Sequence, residues 1–313
     1  MHPPLTALAF APAVISNFFV IHDEALHREP PDLSLVGATG GGFTLSKGVY
    51  TSARVVPSSS TAVSVAVNGD ANYVAKTTRK AVELLLQAAH LPPQLVELVQ
   101  TTEVPIGLGF GTSSASALSA VMAVASALEL KFDKEEVAYF AHAADVLLGT
   151  GLGTVSSTYD HSGAGLIVRA GGPGVARVRQ VKVPSGTRIV TASLKPIPKG
   201  TLLSSPRRRK RVNSLGELAL EQASDLKFKS LLAAGHAFAE RLGLTTRQVR
   251  RLIEVSMKNG AIGASQNMIG NAMHAIVRED KAERVKSALR SASSEAAVDS
   301  FRIGGRTARV LTS

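Results

Sequence analysis

Length and composition place this chain among globular proteins with anionic partners. Its 313 residues suffice for two domains with a core each, and 45% apolar with 19% charged residues exclude a disordered chain. The absence of cysteine excludes disulfides and thiolate metal sites, and 4% aromatic residues leave little for stacking nucleic-acid bases. The net charge of +11 favours nucleotides, phosphorylated metabolites or nucleic acid as partners.

The N-terminal segment predicts two stretches of strand. Residues 5–15 and 18–21 are largely apolar and are separated by a kink at Ser16 and Asn17. No basic segment precedes them, so we expect neither a signal peptide nor a membrane span, and we expect a cytoplasmic protein. Asp23 follows the second stretch, where the pattern fits a site residue and an exposed turn aspartate equally well.

The next part of the chain predicts three strands and one helix. The glycine-rich residues 37–42 precede a predicted strand at 43–56, and a further strand is predicted at 61–67. Apolar residues recur at helical spacing between residues 72 and 89, which is typical of an amphipathic core helix. A short strand at 95–101 follows.

The chain is organised around a glycine-rich loop that runs into a helix. Gly107, Gly109 and Gly111 alternate with apolar residues, and hydroxyl residues then open an Ala-rich helix that ends near residue 129. Such glycines bring backbone N–H groups close to a ligand, and a helix start with Thr112 or Ser113 as its N-cap favours a phosphate. A turn that merely caps a buried helix is the alternative. The loop lacks the Gly-Lys-Ser/Thr of a Walker A motif and the glycine spacing of a Rossmann turn.

An aspartate lies on the apolar face of the next predicted helix. Asp133 and Glu136 form a capping box at its start, and Asp145 falls on the stripe that includes Val137 and Leu148. A carboxylate that faces a core costs several kcal/mol unless it is paired or bound to a metal. Asp145 is therefore a candidate functional residue, with a structural ion pair as the alternative.

The remaining residues predict strands and then helices. The turn at 184–186 is the predicted boundary between two domains, residues 1–184 and 185–313. Strands are predicted at 163–169, 175–183, 187–193, 297–303 and 308–311, and helices at 223–242, 245–258 and 280–291.

A basic run from Arg207 to Arg211 lies in a predicted loop flanked by serine and proline. A solvated charge cluster explains such a run, and binding of phosphate, carboxylate or RNA are the functional alternatives. Lys195 and Lys199 are further candidates for contact with an anion.

Four segments resemble one known family. The loop, P-I-G-L-G-F-G-T-S-S-A-S-A from residue 105, resembles the phosphate loop of the GHMP kinase superfamily. Residues 9–23, residues 142–155 with H-A-A-D-V and G-T-G-L-G-T-V, and residues 268–276 with M-I-G-N-A-M-H-A-I resemble its archaeal pantoate kinase branch. The resemblance implies a two-domain α+β fold, with a β-rich, helix-backed N-terminal domain and a ferredoxin-like C-terminal domain.

The resemblance also implies an activity and a set of site residues. The activity is ATP-dependent phosphorylation of pantoate to 4-phosphopantoate, a step towards coenzyme A in archaea, with Mg²⁺ as the metal. The implied ATP-binding residues are Gly107, Gly109, Gly111, Thr112, Ser113, Ser114 and Ala115. The implied metal-holding residues are Ser113 and Asp145, the catalytic positions are Asp23, Asp145 and Thr154, and the substrate-binding residues are Ser16, Gly40, Gly41 and Gly153.

Two departures from the family pattern lie on the substrate side. Thr154 stands where many GHMP kinases have a catalytic aspartate, and it cannot act as a base near neutral pH. Either Asp23 or Asp160 takes that role, or no base is used, since phosphoryl transfer depends mostly on positioning and charge neutralisation. Residues 37–42 resemble the family's substrate-side loop, in which Thr39 stands where the family has an arginine. Lys47 is either a substitute for that arginine or an outward-facing lysine.

Other functions stay open from the sequence. A GHMP kinase that acts on another small hydroxy acid or alcohol, of the homoserine or mevalonate type, fits the altered substrate side. A basic RNA-binding protein of related fold fits the charge, although nucleic acid is not the expected partner, and a catalytically silent relative fits Thr154. We expect a small-molecule substrate and no membrane partner, and association as a homodimer stays open.

Overall fold

The computed structural model describes residues 4–196 and 205–312, which form an α+β fold with two sheets, as predicted. The strands are β1 (Leu5–His22), β2 (Gly37–Pro57), β3 (Ala62–Val67), β4 (Gln94–Thr102), β5 (Ala164–Arg169), β6 (Arg177–Val181), β7 (Thr187–Ser193), β8 (Ala261–Gln266), β9 (Ala272–Arg278), β10 (Ala297–Arg302) and β11 (Arg309–Thr312). The two longest strands, β1 and β2, lie in the N-terminal half.

Seven of these strands form the first sheet. Its order is β11-β1-β2-β4-β3, with β5 paired to β2 and β6 paired to β5, and only β3 and β4 run parallel. The register of β1 on β2 shifts between Pro12 and Val14 and between Ser16 and Phe18, so the predicted kink at Ser16 and Asn17 is a bulge within one continuous strand.

Three helices cover the first sheet: α1 (Lys76–Ala88), α2 (Thr112–Ala127) and α3 (Lys134–Leu148). The central helix, α2, is buried over most of its length, and its small alanine side chains allow close packing on β1 and β2. The predicted capping box at Asp133 and Glu136 starts α3. The starts of α1 and α2 and the end of α3 meet at the glycine loop, as the hydrogen bonds below show.

The second sheet has the order β10-β7-β9-β8 and is antiparallel throughout. The other helices are α4 (Pro206–Gln222), α5 (Phe228–Leu242), α6 (Arg247–Lys258) and α7 (Ala282–Ala292). The last two pack on the second sheet, whereas α4 and α5 pack on β1 and share a core with residues from both sheets. The predicted domain boundary falls between β6 and β7, and β11 returns to pair with β1.

The predicted loop at residues 37–42 is wrong, because these residues begin β2. A Cβ atom at Gly40 would lie 2.3 Å from the Phe18 carbonyl oxygen, and one at Gly42 would lie 2.3 Å from that of Ile15. The glycines therefore allow β2 to pack closely against the bulged β1, a role that glycine has within strands.

The predicted start of the helix at 223–242 and the predicted loop around the basic run are also wrong, although this helix ends at Leu242 as predicted. Residues 223–227 separate α4 from α5, and Leu226 has a positive φ of 57°. Arg207 to Arg211 lie in the first turns of α4 rather than before a helix. Pro206 explains this start, since proline fits the first position of a helix, where its missing N–H costs nothing.

Candidate active site

Residues 103–111 connect β4 to α2 and have the backbone that the alternating glycines predict. Gly107, Gly109 and Gly111 have φ values of 77°, 80° and 62°, in the left-handed region that favours glycine. Leu108 and Phe110 between them are buried in the core, at 6% and 1% exposure. The two apolar residues anchor the loop in the core, and the three glycines allow the left-handed turns between them.

The helix behind the loop starts without a side-chain cap. Gly111 is the N-cap, so the prediction of Thr112 or Ser113 at that position is wrong, and both are helical residues. The first N–H groups of α2 therefore receive no hydrogen bond from a capping side chain. Together with the helix dipole, this geometry suits a phosphate.

Some of the predicted ATP-binding residues are accessible, and others are buried in the core. A Cβ atom at Gly107 would meet no heavy atom within 4 Å, and Ser113 is exposed. In contrast, Thr112, Ser114 and Ala115 are buried at 7%, 2% and 1% exposure. The open positions for a ligand are thus at the loop and at the exposed side of the first turn of α2.

Asp145 lies beneath this helix start and is 1% exposed. The Ser114 hydroxyl donates to its Oδ2, and the Thr150 hydroxyl donates to its Oδ1 at 2.6 Å. The Thr150 hydroxyl in turn lies 3.2 Å from that of Thr77 at the start of α1. The carboxylate thereby ties three helices together. Thr150 and Thr77 were not identified from the sequence, although Thr150 lies just beyond the end of α3 within the G-T-G-L-G segment.

Burial dominates the electrostatics of Asp145. It raises the pKa of this carboxyl from 3.8 to about 6, against the opposing effect of the two hydroxyl hydrogen bonds. Within residues 4–196 and 205–312, no ion pair compensates the charge. A buried carboxylate without a cationic side chain beside it lowers the free energy of unfolding. Such an arrangement is expected where the carboxylate binds a metal ion.

The residues around Asp145 fit Mg²⁺ bound together with phosphates. Mg²⁺ is commonly held by one or two carboxylates, water and substrate phosphate oxygens. Of the two neighbouring serines, Ser114 is the one whose hydroxyl bonds to Asp145, while the predicted metal residue Ser113 is exposed. A Cβ atom at Gly151 would lie 2.9 Å from Asp145 Oδ2, so the glycine leaves this side of the carboxylate uncrowded. Among the described residues, no group of three or more histidine, aspartate or glutamate side chains could hold a metal alone.

The segment between β8 and β9 supports the glycine loop from the opposite side. A Cβ atom at Gly270 would lie 2.3 Å from the carbonyl carbon of Leu108, and one at Gly109 would lie 2.8 Å from Cβ of Asn267. The Asn267 amide donates to the Leu108 carbonyl at 3.5 Å and accepts from Nδ1 of His274 at 3.0 Å. Burial lowers the pKa of His274 to about 3, so the ring is neutral and donates from this nitrogen. Gly270, the glycine of the M-x-G-N segment, thus allows this segment to pack tightly against the glycine loop.

On the substrate side, the structure brings part of the predicted set together. The Thr154 Cγ2 atom would lie 3.0 Å from a Cβ atom at Gly111, and a Cβ atom at Gly153 would lie 3.3 Å from that of Ala38 in β2. The Ser16 carbonyl accepts from the Met268 N–H at 3.0 Å, where β1 meets the segment that supports the loop.

Gly40 and Gly41 instead pack against protein atoms. A Cβ atom at Gly40 would meet the backbone of Phe18, and one at Gly41 would lie 2.5 Å from Leu231 Cδ1 of α5. Their role in the structure is close packing of strand and helix. Contact of these two residues with a substrate stays a prediction.

Of the predicted charged residues, Asp23 is partly buried in an ion pair, whereas Asp160, Lys47 and Lys195 are exposed. Asp23 forms an ion pair with Arg209 of α4, and the neighbouring His22 lies 3.0 Å from the Thr39 hydroxyl through Nε2. Asp160 is exposed and pairs with Lys134 at 2.8 Å. Lys47 and Lys195 are exposed, and Lys199 lies outside the described residues.

The comparisons support a small-molecule kinase, and they show that the chain is similar to kinases of the GHMP type. Residues 72–159, which include α1, the glycine loop, Asp145 and Thr154, match the family model for the GHMP kinases N terminal domain. The predicted resemblance to this superfamily is confirmed. No helix within residues 4–196 and 205–312 is long and apolar enough to span a membrane.

Individual relatives include kinases that act on different small molecules. The chain is 28% identical to a pantoate kinase of Methanospirillum hungatei over 86% of this chain and 86% of that protein. It is 26% identical to a mevalonate kinase of Pyrococcus abyssi, over 63% of each chain. A solved structure described as a phosphotransferase related to the CoA biosynthesis pathway superposes with a TM-score of 0.84 at 26% identity, covering 97% of this chain and 98% of that one.

Proposed function

We propose that this chain transfers the γ-phosphoryl group of ATP to the hydroxyl of pantoate, giving 4-phosphopantoate for coenzyme A biosynthesis. The observation that carries the proposal is the glycine loop at the uncapped start of α2, with Asp145 buried beneath it and without an ion pair among residues 4–196 and 205–312. This pairing of an anion site with a buried carboxylate suits a metal-bound triphosphate. The similarity to pantoate kinases along most of the chain supports the choice of acceptor.

The nucleotide phosphates would bind to backbone N–H groups of the loop and of the first turn of α2. Gly107, Gly109 and Gly111 hold the loop in the conformation that this requires, and the packing of Gly270 on Leu108 keeps it in place. Asp145 and the Ser114 hydroxyl would hold Mg²⁺. When bound, this ion neutralises charge on the phosphate oxygens during transfer.

Thr150 keeps Asp145 in its orientation. Its hydroxyl donates to one carboxylate oxygen while Ser114 donates to the other, so the side chain has one defined position. Such hydrogen bonds from neighbouring residues orient metal-holding groups and commonly change metal affinity by about 10- to 100-fold when they are removed.

The acceptor hydroxyl would be oriented without a strong base. Thr154 lies against Gly111, where a carboxylate would face the phosphates, but its hydroxyl does not accept a proton near neutral pH. Asp23 is engaged in an ion pair, and Asp160 is an exposed surface residue paired with Lys134. Phosphoryl transfer through a loose transition state depends mainly on alignment and charge neutralisation, which the loop and Asp145 would supply.

A panel of acceptors tests the proposal. Purified chain, ATP and Mg²⁺ would be incubated separately with pantoate, mevalonate, homoserine and shikimate, and ADP formation would be followed by a coupled assay, with an acceptor-free reaction as the control. We expect the highest kcat/KM with pantoate. Turnover of mevalonate or homoserine with none of pantoate would show that the chain is a kinase with a different acceptor from the one proposed. Tight, steeply salt-dependent RNA binding without any ATP-dependent turnover would contradict the enzyme altogether.

A further inference from the structure

The proposed acceptor carries a carboxylate, and the cation that binds it is the open question on the substrate side. Most lysine and arginine side chains of the described residues are exposed, where a charge is strongly hydrated. A charge-assisted hydrogen bond is strongest where water is partly excluded. Within residues 4–196 and 205–312 only five such side chains are half-buried: Arg79, Lys80, Arg188, Arg209 and Lys286.

Location distinguishes these five. Arg79 and Lys80 lie on α1, which packs on α2, α3 and β3. Arg188 in β7 pairs with Glu279, and Lys286 in α7 pairs with Glu283, both at the second sheet. Arg209 alone of these five contacts the end of β1, through its ion pair with Asp23.

The helix that carries Arg209 is fixed on β1 by residues of the same face. Four residues further on, the Asn213 side chain accepts from the Ile21 N–H at 2.9 Å and donates to the Ile21 carbonyl at 3.1 Å. Seven residues further on, a Cβ atom at Gly216 would lie 2.2 Å from the Phe19 carbonyl oxygen. Residues at i, i+4 and i+7 share one face of a helix, so Arg209 is held against the end of β1 in a defined place.

The end of β1 is connected to the glycine loop by close contacts. The Thr39 hydroxyl bonds to His22, next to Asp23, and the preceding residue, Ala38, packs against Gly153. Thr154 then packs against Gly111 at the end of the loop. A series of neighbouring residues thus connects the glycine loop to the ion pair of Asp23 and Arg209.

We propose that Arg209 binds the carboxylate of the acceptor substrate and that Asp23 positions its guanidinium. This inference rests on the proposed function. An arginine carries five N–H donors in a planar fork and pairs well with carboxylates, so one guanidinium can be oriented by one carboxylate while it binds another. Asp23 is then a positioning residue rather than the base, and the basic run of α4 acquires a role through one of its five members.

The test compares two acceptors on matched variants. Arg209→Gln removes the charge, and Lys210→Gln removes the same charge from the next, exposed residue. Each variant and the parent chain would be assayed with pantoate and with its carboxamide analogue, which keeps the hydroxyl groups but lacks the negative charge. The KM for ATP is measured in parallel.

We expect Arg209→Gln to lower kcat/KM for pantoate by about 10- to 100-fold, the range for a lost hydrogen bond to a charged group. The carboxamide should change less than about 3-fold, and so should the KM for ATP, since the charge of Arg209 does not act on either. Lys210→Gln should leave both acceptors unchanged. Asp23→Asn should also reduce the preference for pantoate over the amide, by a smaller factor and mainly through KM.

Equal losses on both acceptors would overturn the inference, because they would indicate a structural role for Arg209. Unchanged kinetics with pantoate would overturn it as well. If Arg209→Gln does not fold, the double variant Arg209→Gln/Asp23→Asn removes both charges of the pair and gives the same comparison. Absence of any turnover of pantoate by the parent chain would be a failure of the proposed function, and it is seen before any variant is made.

Discussion

Two aspartates in this fold are treated in opposite ways. Asp145 is buried at 1% exposure, receives hydrogen bonds from two hydroxyl groups, and has no compensating ion pair within the described residues. Asp23, with a side chain that is 19% exposed, is paired with Arg209. The fold thus compensates the carboxylate at the proposed acceptor end and leaves the one beneath the glycine loop uncompensated, although the latter is far more expensive to bury.

The two ends of the site differ in the same way in how they are built. The proposed nucleotide end consists of backbone in left-handed conformations and a helix start, with few side chains of its own. The proposed acceptor end is assembled from side chains on separate elements, with Asp23 and Arg209 186 positions apart. A phosphate common to a whole class of enzymes can be bound by backbone alone, whereas one particular acceptor requires side chains that vary from branch to branch.

The strongest way to break this comparison is to neutralise Asp145. We expect Asp145→Asn to lower kcat by at least about 100-fold, since the metal would lose its charged ligand. The same change should stabilise the nucleotide-free protein, because the pKa of about 6 means that ionisation is disfavoured in the fold. A shift from 3.8 corresponds to about 3 kcal/mol at most. Asp160→Asn, on the exposed surface, is the matched control and should change neither property.

The pH dependence of unfolding gives the sign of this effect. The folded-state pKa of Asp145 is raised, so between about pH 4 and pH 6 the native state binds more protons than the unfolded state. Its contribution to stability is therefore full below about pH 4 and is lost as the pH rises through about 6. Urea unfolding at several pH values should show this slope in the parent chain and not in Asp145→Asn. A variant that is less stable than the parent at pH 8 would contradict the uncompensated charge.

A smaller effect is expected from crowding the support of the loop. A Cβ atom at Gly270 must displace the backbone of Leu108, so Gly270→Ala should reduce kcat/KM for ATP by about 10- to 100-fold, as misplacement of a binding group does. Gly263→Ala is the control, because its Cβ atom would meet only the Leu232 side chain, at 3.1 Å, which can move. Equal kinetics for the two variants would show that the segment at 267–271 does not hold the loop.

The difference between the two ends also explains what the sequence could predict. The glycine spacing, the helix behind it and the buried Asp145 follow from local pattern, because each depends on residues within one turn or one helix face. The identity of the N-cap was wrong for a related reason. Gly111 in the left-handed conformation starts the helix one residue before the hydroxyl residues that would usually cap it.

Long-range packing decided the features that local pattern missed. The family resemblance implies a loop at residues 37–42, yet these residues form strand because β2 must approach a bulged β1. The basic run indicates a solvated loop, yet Pro206 starts a helix there and Asn213 fixes that helix to β1. The bonds of Thr150 to Asp145 and of Asn267 to Leu108 depend on the packing of separate elements, which no spacing in the sequence specifies.

The smallest expected effect concerns Thr154, and it tests directly whether the acceptor end works through positioning alone. If the acceptor end works through positioning alone, Thr154→Val, which keeps the shape and removes the hydroxyl, should change kcat with pantoate by less than about threefold. Removal of a general base typically costs about 100-fold or more, so the two accounts differ well beyond the precision of a steady-state assay. The valine also preserves the methyl packing against Gly111, so the loop should not move. A loss of that larger size, with an unchanged KM for ATP, would mean that the hydroxyl takes part in the transfer and that the acceptor end contains chemistry beyond positioning.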